Sequence, residues 1–149
     1  LIGLIPAVLI AIPLFGISLL ELGIPLILLL ISLYLFGITL GLLVTAGLVR
    51  FGPSFENIAW ASLFFIAPLG CIYYPVEILP TWLQSIALIL PLAHIFEETR
   101  SILVSSTVNY SNIYYALLLN TFYLTIALLV FYQSFKSAKF KGSLINVGE

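Results

Sequence analysis

Two kinds of stretch alternate along the chain: apolar runs far longer than any strand, and short polar breaks that carry nearly every charge. Residues 1–49 hold one charge, Glu21. A single helix of that length would measure about 73 Å, more than twice the roughly 30 Å hydrocarbon core of a bilayer. The run must therefore fold back. Glu21-Leu22-Gly23-Ile24-Pro25 supplies a charge, a flexible residue and a helix breaker in one place. The pattern predicts one span at about 1–20, kinked by Pro6 and Pro13, and a second at about 24–48. Arg50-Phe51-Gly52-Pro53-Ser54-Phe55-Glu56-Asn57 forms the first polar loop, and a third span follows at about 58–74, containing Pro68 and Gly70. Trp82 to Phe96 is apolar but short, is interrupted by Gln84, Ser85, Pro91 and His94, and runs into Glu97, Glu98 and Arg100. A charge at mid-bilayer costs about 2.5–3.5 kcal/mol, so 80–105 reads as a re-entrant or interfacial pair of helices. The last span is expected at about 113–133, followed by a tail over 134–149 with Lys136, Lys139 and Lys141.

Composition turns this pattern into a fold class. Of 149 residues, 62% are hydrophobic and 7% charged, against roughly 25% charged in a soluble domain, and the mean hydropathy is +1.24. Such a chain cannot cover a globule with polar groups, and it lacks the basic face of a nucleic-acid binder. The expectation is an all-α integral membrane protein of about four transmembrane helices with a re-entrant pair on the outer side. With 80–105 re-entrant, Arg50, Lys136, Lys139 and Lys141 fall on one side and Arg100 alone on the other. Basic residues mark the cytoplasmic side, which assigns the loop at 50–57 and the tail to it. Tyr73, Tyr74, Trp82, Tyr110, Tyr114 and Tyr115 then form an outer aromatic belt, and Phe51, Phe55, Trp60, Tyr132 and Phe135 an inner one. The chain contains no Met, so residue 1 is not expected to be a translation start, and a longer parent chain is expected.

Candidate chemistry is sparse. There is no Asp, one His and one Cys, which removes Asp-rich magnesium motifs, a His-x-x-x-His zinc pair and an internal disulfide. No phosphate-binding Gly-Lys-Ser/Thr loop and no Gly-x-Ser-x-Gly elbow occurs. His94, Glu97 and Arg100 recur at i, i+3, i+6 and share a helical face. They read either as a polar cluster at an outer gate or as a mutually satisfied anchor for a re-entrant helix. An acid–base pair of His94 with Glu97 or Glu98 is the enzymatic alternative. Gly37 and Gly41 form a Gly-x-x-x-Gly pair, extended by Thr45, that suits close helix packing within or between subunits. Asn120 and Thr121 are expected to bond between helices, and Asn109-Tyr110-Ser111 matches a glycosylation sequon.

One stretch has a more specific likeness. Arg50-Phe51-Gly52-Pro53 follows a long Gly-containing helix, and Ala59-Trp60-Ala61 opens the next span. Pro68-Leu69 and Tyr73-Tyr74-Pro75-Val76 end that span. Leu79-Pro80-Thr81-Trp82-Leu83-Gln84 follows, then Pro91-Leu92-Ala93-His94, Glu97 and Arg100. In order and spacing this series resembles the permease subunit of type-2 ABC exporters. The resemblance implies the C-terminal portion of a six-span subunit in a bacterial or archaeal cell membrane, working as a pair of permease copies. It implies an ATPase-facing loop at Arg50, Phe51, Gly52, Pro53, Ser54, Phe55 and Glu56, and a pathway helix at 58–74 bent at Pro68 and Gly70. ATP and magnesium would bind a partner ATP-binding-cassette subunit and none would bind this chain. A non-transporting assembly or anchoring protein remains the further alternative.

Overall fold

The computed structural model describes residues 23–105 and 107–141, with side chains to 140. The span expected at 1–20 and the end of the tail lie outside these residues. Among the described residues all regular structure is helical. Helix α1 is Gly23–Phe51, α2 is Phe55–Leu69, and a 3-10 turn covers Val76–Ile78. Helices α3 (Thr81–Ala87), α4 (Pro91–Ser105) and α5 (Tyr110–Lys141) follow.

α1 and α5 are long and apolar enough to cross a membrane, and they form the principal packing pair. They run parallel. Near their starts Leu29 clusters with Ile113 and Ala116, and one turn further Ser32 meets Asn120. Buried positions on α1 facing α5 fall at Pro25, Leu29, Ser32, Phe36, Thr39 and Ala46, while Gly47 is buried separately under Phe55. On α5 they fall at Ile113, Ala116, Asn120, Ala127, Ser134 and Ala138. Both series step by three, four or seven residues, the spacing of a seam between two supercoiled helices. The α5 side of the seam is mostly small, which lets the backbones approach closely, as helices do where burial of apolar surface gives no drive to associate.

Asn120 locks this seam. Its Nδ2 donates to the Ser32 carbonyl at 2.9 Å and to Ser32 Oγ at 2.7 Å, and both residues are fully buried. Thr121, expected to bond between helices as well, instead donates to Leu117 O within α5 at 2.8 Å. Thr39, Thr45, Ser62, Thr99 and Thr125 likewise bond back one turn, so each hydroxyl is satisfied without a second helix.

The faces away from the seam are apolar and uncovered. Only 22% of the most apolar window of α1, and of α5, is buried, where a core helix of a soluble protein would be mostly covered. On α2, Ala59 is the buried residue, while Phe64 is 77% and Phe65 71% exposed.

Expected bounds move at both long segments and at the loop: of the loop expected at 50–57, only 52–54 lies outside α1 and α2. α2 covers 55–69 rather than 58–74, and 70–75 leaves the helix as an irregular connector. The 80–105 pair is two helices broken at 88–90, α3 and α4. α5 runs to Lys141 instead of stopping near 133, so Lys136 and Lys139 are helical rather than tail residues. Gln133 to Lys141 contains neither Gly nor Pro, and an apolar-to-basic change alone does not end a helix.

Replacing Asn120 with Ala should destabilise the fold by about 0.6–2 kcal/mol, the range for interhelical bonds of this kind. Thr121→Ala should stay within about 0.5 kcal/mol of the parent. Reversible unfolding of the purified protein in mixed micelles, followed by circular dichroism, checks the contrast; equal midpoints for the two variants would remove the lock.

Candidate functional site

The richest polar constellation surrounds α4, at the end of the molecule where α1 and α5 begin. Two carboxylates on this helix have different tasks. Glu97 Oε1 accepts from the Val76 N–H at 2.8 Å and from Arg100 Nη1 at 2.7 Å. Arg100 Nη2 reaches the Cys71 carbonyl at 3.2 Å. The pair thus ties the 71–76 connector to α4 at both of its ends. Cys71 is fully buried and has φ +54°, a conformation that a non-glycine residue rarely holds without surrounding support. Tyr74 Oη adds a bond to Pro68 O at 2.9 Å.

Glu98 faces the other way, into the seam. It is fully buried beside Ile95 and Ile102 on the inner stripe of α4. Its Oε1 accepts from the Asn109 N–H at 2.6 Å and its Oε2 from Asn112 Nδ2 at 3.1 Å. Asn109 Oδ1 accepts in turn from the Ser111 N–H at 3.1 Å. A carboxylate and an Asn cap therefore hold the start of α5, where orphan N–H groups and the helix dipole favour negative charge. The side chain of the sequon's Asn109 is engaged in this cap.

His94 does not join Glu97 and Arg100. Its Nε2 lies 2.9 Å from Leu88 O, and its ring stacks on Tyr115 with centroids 6.0 Å apart. The three residues expected as one cluster divide into an ion pair that fixes the connector and a histidine that closes the α3–α4 turn. Glu98, named from the sequence only in the acid–base alternative, is the most buried acid among the described residues. The signal for it was present: Ile95, Glu98 and Ile102 step by three and four, so Glu98 occupies a core position. Among the described residues no three His, Cys, Asp or Glu side chains gather as metal ligands.

At the opposite end the 50–57 loop is a tight turn. Gly52 takes φ +79°, and its N–H bonds to Leu48 O at 2.8 Å. Arg50 lies 5.6 Å from the Phe51 ring centroid, and Phe51 stacks on Phe55 at 5.7 Å. Phe55 covers Gly47: a Cβ there would collide with the ring. Arg50, Phe51, Pro53, Ser54 and Glu56 are exposed around this anchor.

The glycines expected to matter give a mixed result. A Cβ placed on Gly37 or Gly41 would meet nothing within 4 Å among the described residues, so the α1–α5 seam does not use them. Close approach occurs at Gly47 and at Gly70, where a Cβ would meet Leu92 Cβ at 2.9 Å. Pro68 and Gly70 do not bend a continuing helix; α2 ends there, and Gly70 lets the start of α4 pack against that end.

Arg100→Ala should lower stability by about 1–3 kcal/mol, since it strips a charged partner from Glu97 and a donor from Cys71 O. Glu97→Gln should cost less, because the amide oxygen still accepts from Val76. Gly47→Leu should destabilise by about 1–3 kcal/mol through overpacking, and Phe55→Ala in the same chain should restore part of it. Thermal unfolding of the four variants in detergent reads each effect; an Arg100→Ala protein as stable as the parent would show that the connector holds itself.

No family model, curated protein or solved structure matches the chain.

Proposed function

We propose that this chain is part of the permease subunit of an ATP-driven exporter of the type-2 ABC class, spanning a bacterial or archaeal cell membrane. One observation carries the reading: the motif series from Arg50 to Arg100 coincides with a tight loop at one end and a helical hairpin at the other. The hairpin is deep. Tyr123 Oη donates to Ile89 O, in the α3–α4 turn, at 3.3 Å, and Tyr123 is thirteen residues into α5. That is about 20 Å along the helix, so α4 climbs back beside α5 from well inside a bilayer of roughly 30 Å. This depth supports reading α3 and α4 as a re-entrant pair on the outer side.

In this reading α1, α2 and α5 are three of four spans, with the fourth at 1–20. α2 with its 70–75 connector lines the pathway, and the Glu97–Arg100 pair fixes the outer end of that helix. The Arg50–Glu56 loop faces an ATP-binding-cassette subunit, which binds ATP and magnesium. Its anchoring at Gly47 by Phe55 would carry ATPase closure to the start of α2, which tilts against the α1–α5 pair. A second permease copy completes the pathway, and the substrate crosses by alternating access without chemical change.

Purification of the full-length subunit from its native membrane should recover an ATP-binding-cassette partner whose vanadate-sensitive ATPase activity rises in the complex. The double variant Arg50→Glu, Glu56→Lys should weaken that complex roughly tenfold, equivalent to about 1.4 kcal/mol. Recovery of a folded subunit with no such ATPase would overturn the assignment.

A further inference from the structure

The far end of α5 carries a feature that transport does not require. Tyr132, Phe135, Lys136, Lys139 and Phe140 are the described residues lining an open cleft of about 540 Å³. Lys136 and Lys139 are exposed and stand three residues apart on one helical face, close enough to bracket a single anion. Tyr132 precedes Lys136 by four residues and Phe135 precedes Lys139 by four, so each lysine has an aromatic ring one turn back toward the apolar part of the helix. From 110 to 141 the helix contains no acidic residue. The ion pair among the described residues is Glu97–Arg100, at the other end of the molecule, so neither lysine is neutralised by a described carboxylate. Lys141 ends the same helix, and the other charges with described side chains at this end are Arg50 in the last turn of α1 and Glu56 in the first turn of α2.

Depth selects the ligand. Lys136 is 26 residues beyond Tyr110 on one unbroken helix, about 39 Å. A bilayer measures roughly 30 Å across its hydrocarbon and about 40–45 Å with its headgroups. With Tyr110 at one boundary, the two ammonium groups stand among the opposite headgroups, and the rings below them stand at the acyl boundary. We propose that Lys136 and Lys139, with Tyr132, Phe135 and Phe140, form a binding cleft for the headgroup of an anionic phospholipid. The phosphate lies between the two ammonium groups, the Tyr132 and Phe135 rings cover the first carbons of the acyl chains, and Phe140, one residue beyond Lys139, borders the headgroup. Free phosphate would engage the lysines but leave the rings unused. The assignment rests on the membrane placement of α5 and not on transport.

Native mass spectrometry of the full-length protein, released from micelles containing equal phosphatidylglycerol and phosphatidylcholine, tests it. The parent should retain phosphatidylglycerol in preference to phosphatidylcholine by roughly thirtyfold, as expected for two lysines near an anionic headgroup. Lys136→Gln with Lys139→Gln should abolish the preference, and Lys136→Arg with Lys139→Arg should keep it. Three results would each overturn the cleft: no preference in the parent, a preference that survives the double Gln variant, or displacement of phosphatidylglycerol by millimolar inorganic phosphate. Resistance of the same proteins to alkaline extraction from membranes reports the placement of α5 separately, so loss of the site and loss of the membrane reading are told apart.

Discussion

The parallel seam between α1 and α5 constrains everything between them. Two parallel neighbours cannot be joined by a short turn, because the chain leaves α1 at one end and must begin α5 at the other. α1 has 29 residues and rises about 43 Å, whereas the returning α2 has 15 and rises only about 22 Å. The rest of the return falls to the irregular 70–75 segment and to α4. The α3–α4 hairpin is therefore part of the crossing itself: α3 goes back down, and α4 climbs to the level where α5 starts.

This topology explains why the strongest polar contacts gather at the start of α5. The connector there has left its helix, and its backbone groups at the buried Cys71 and Val76 need partners from the chain. Glu97 supplies an acceptor for Val76, Arg100 a donor for Cys71 O, and Tyr74 a donor for Pro68 O. Glu98 does the same for the N-terminus of α5. The opposite end needs less. Gly52, free to adopt a positive φ, closes that turn with backbone bonds, and Phe55 packs onto Gly47.

Much of this was legible in the residue pattern, and the exceptions have physical causes. The break near Gly23, the loop at 50–57 and the split pair within 80–105 follow from charges, Gly and Pro that act locally. The ends of α2 and α5 do not. A helix continues past its apolar stretch unless something stops it, which is why Lys136 and Lys139 remain helical. The Gly37/Gly41 spacing is a local sequence sign of close packing, yet the close contacts are at Gly47 and Gly70, and both are made to residues remote in the fold or across a turn. Such contacts depend on where a Phe or Leu from another helix arrives, which no spacing within one helix encodes. Glu98 lay between these cases: its place in the Ile95–Ile102 stripe was readable, but its partners Asn109 and Asn112 belong to the next helix.

The seam also bears on motion. Asn120 and Ser32 are fully buried between the two helices, where no water competes for their bonds, so α1 and α5 are expected to move together. α2 has no comparable link to either: its buried contact is Ala59, and its Ser62 hydroxyl bonds within the helix. Among the described residues it is fixed at its ends, by Phe55 against Gly47 and by the connector that Glu97 and Arg100 hold. An apolar cleft of about 160 Å³ between Leu40, Val44, Ala59 and Leu63 leaves the middle of the α1–α2 contact loosely filled. A helix anchored at both ends and slack in the middle can tilt when either anchor shifts, without breaking a buried polar bond. Among the described residues the α1–α5 pair is thus the tightly joined unit, and α2 is the more loosely held element.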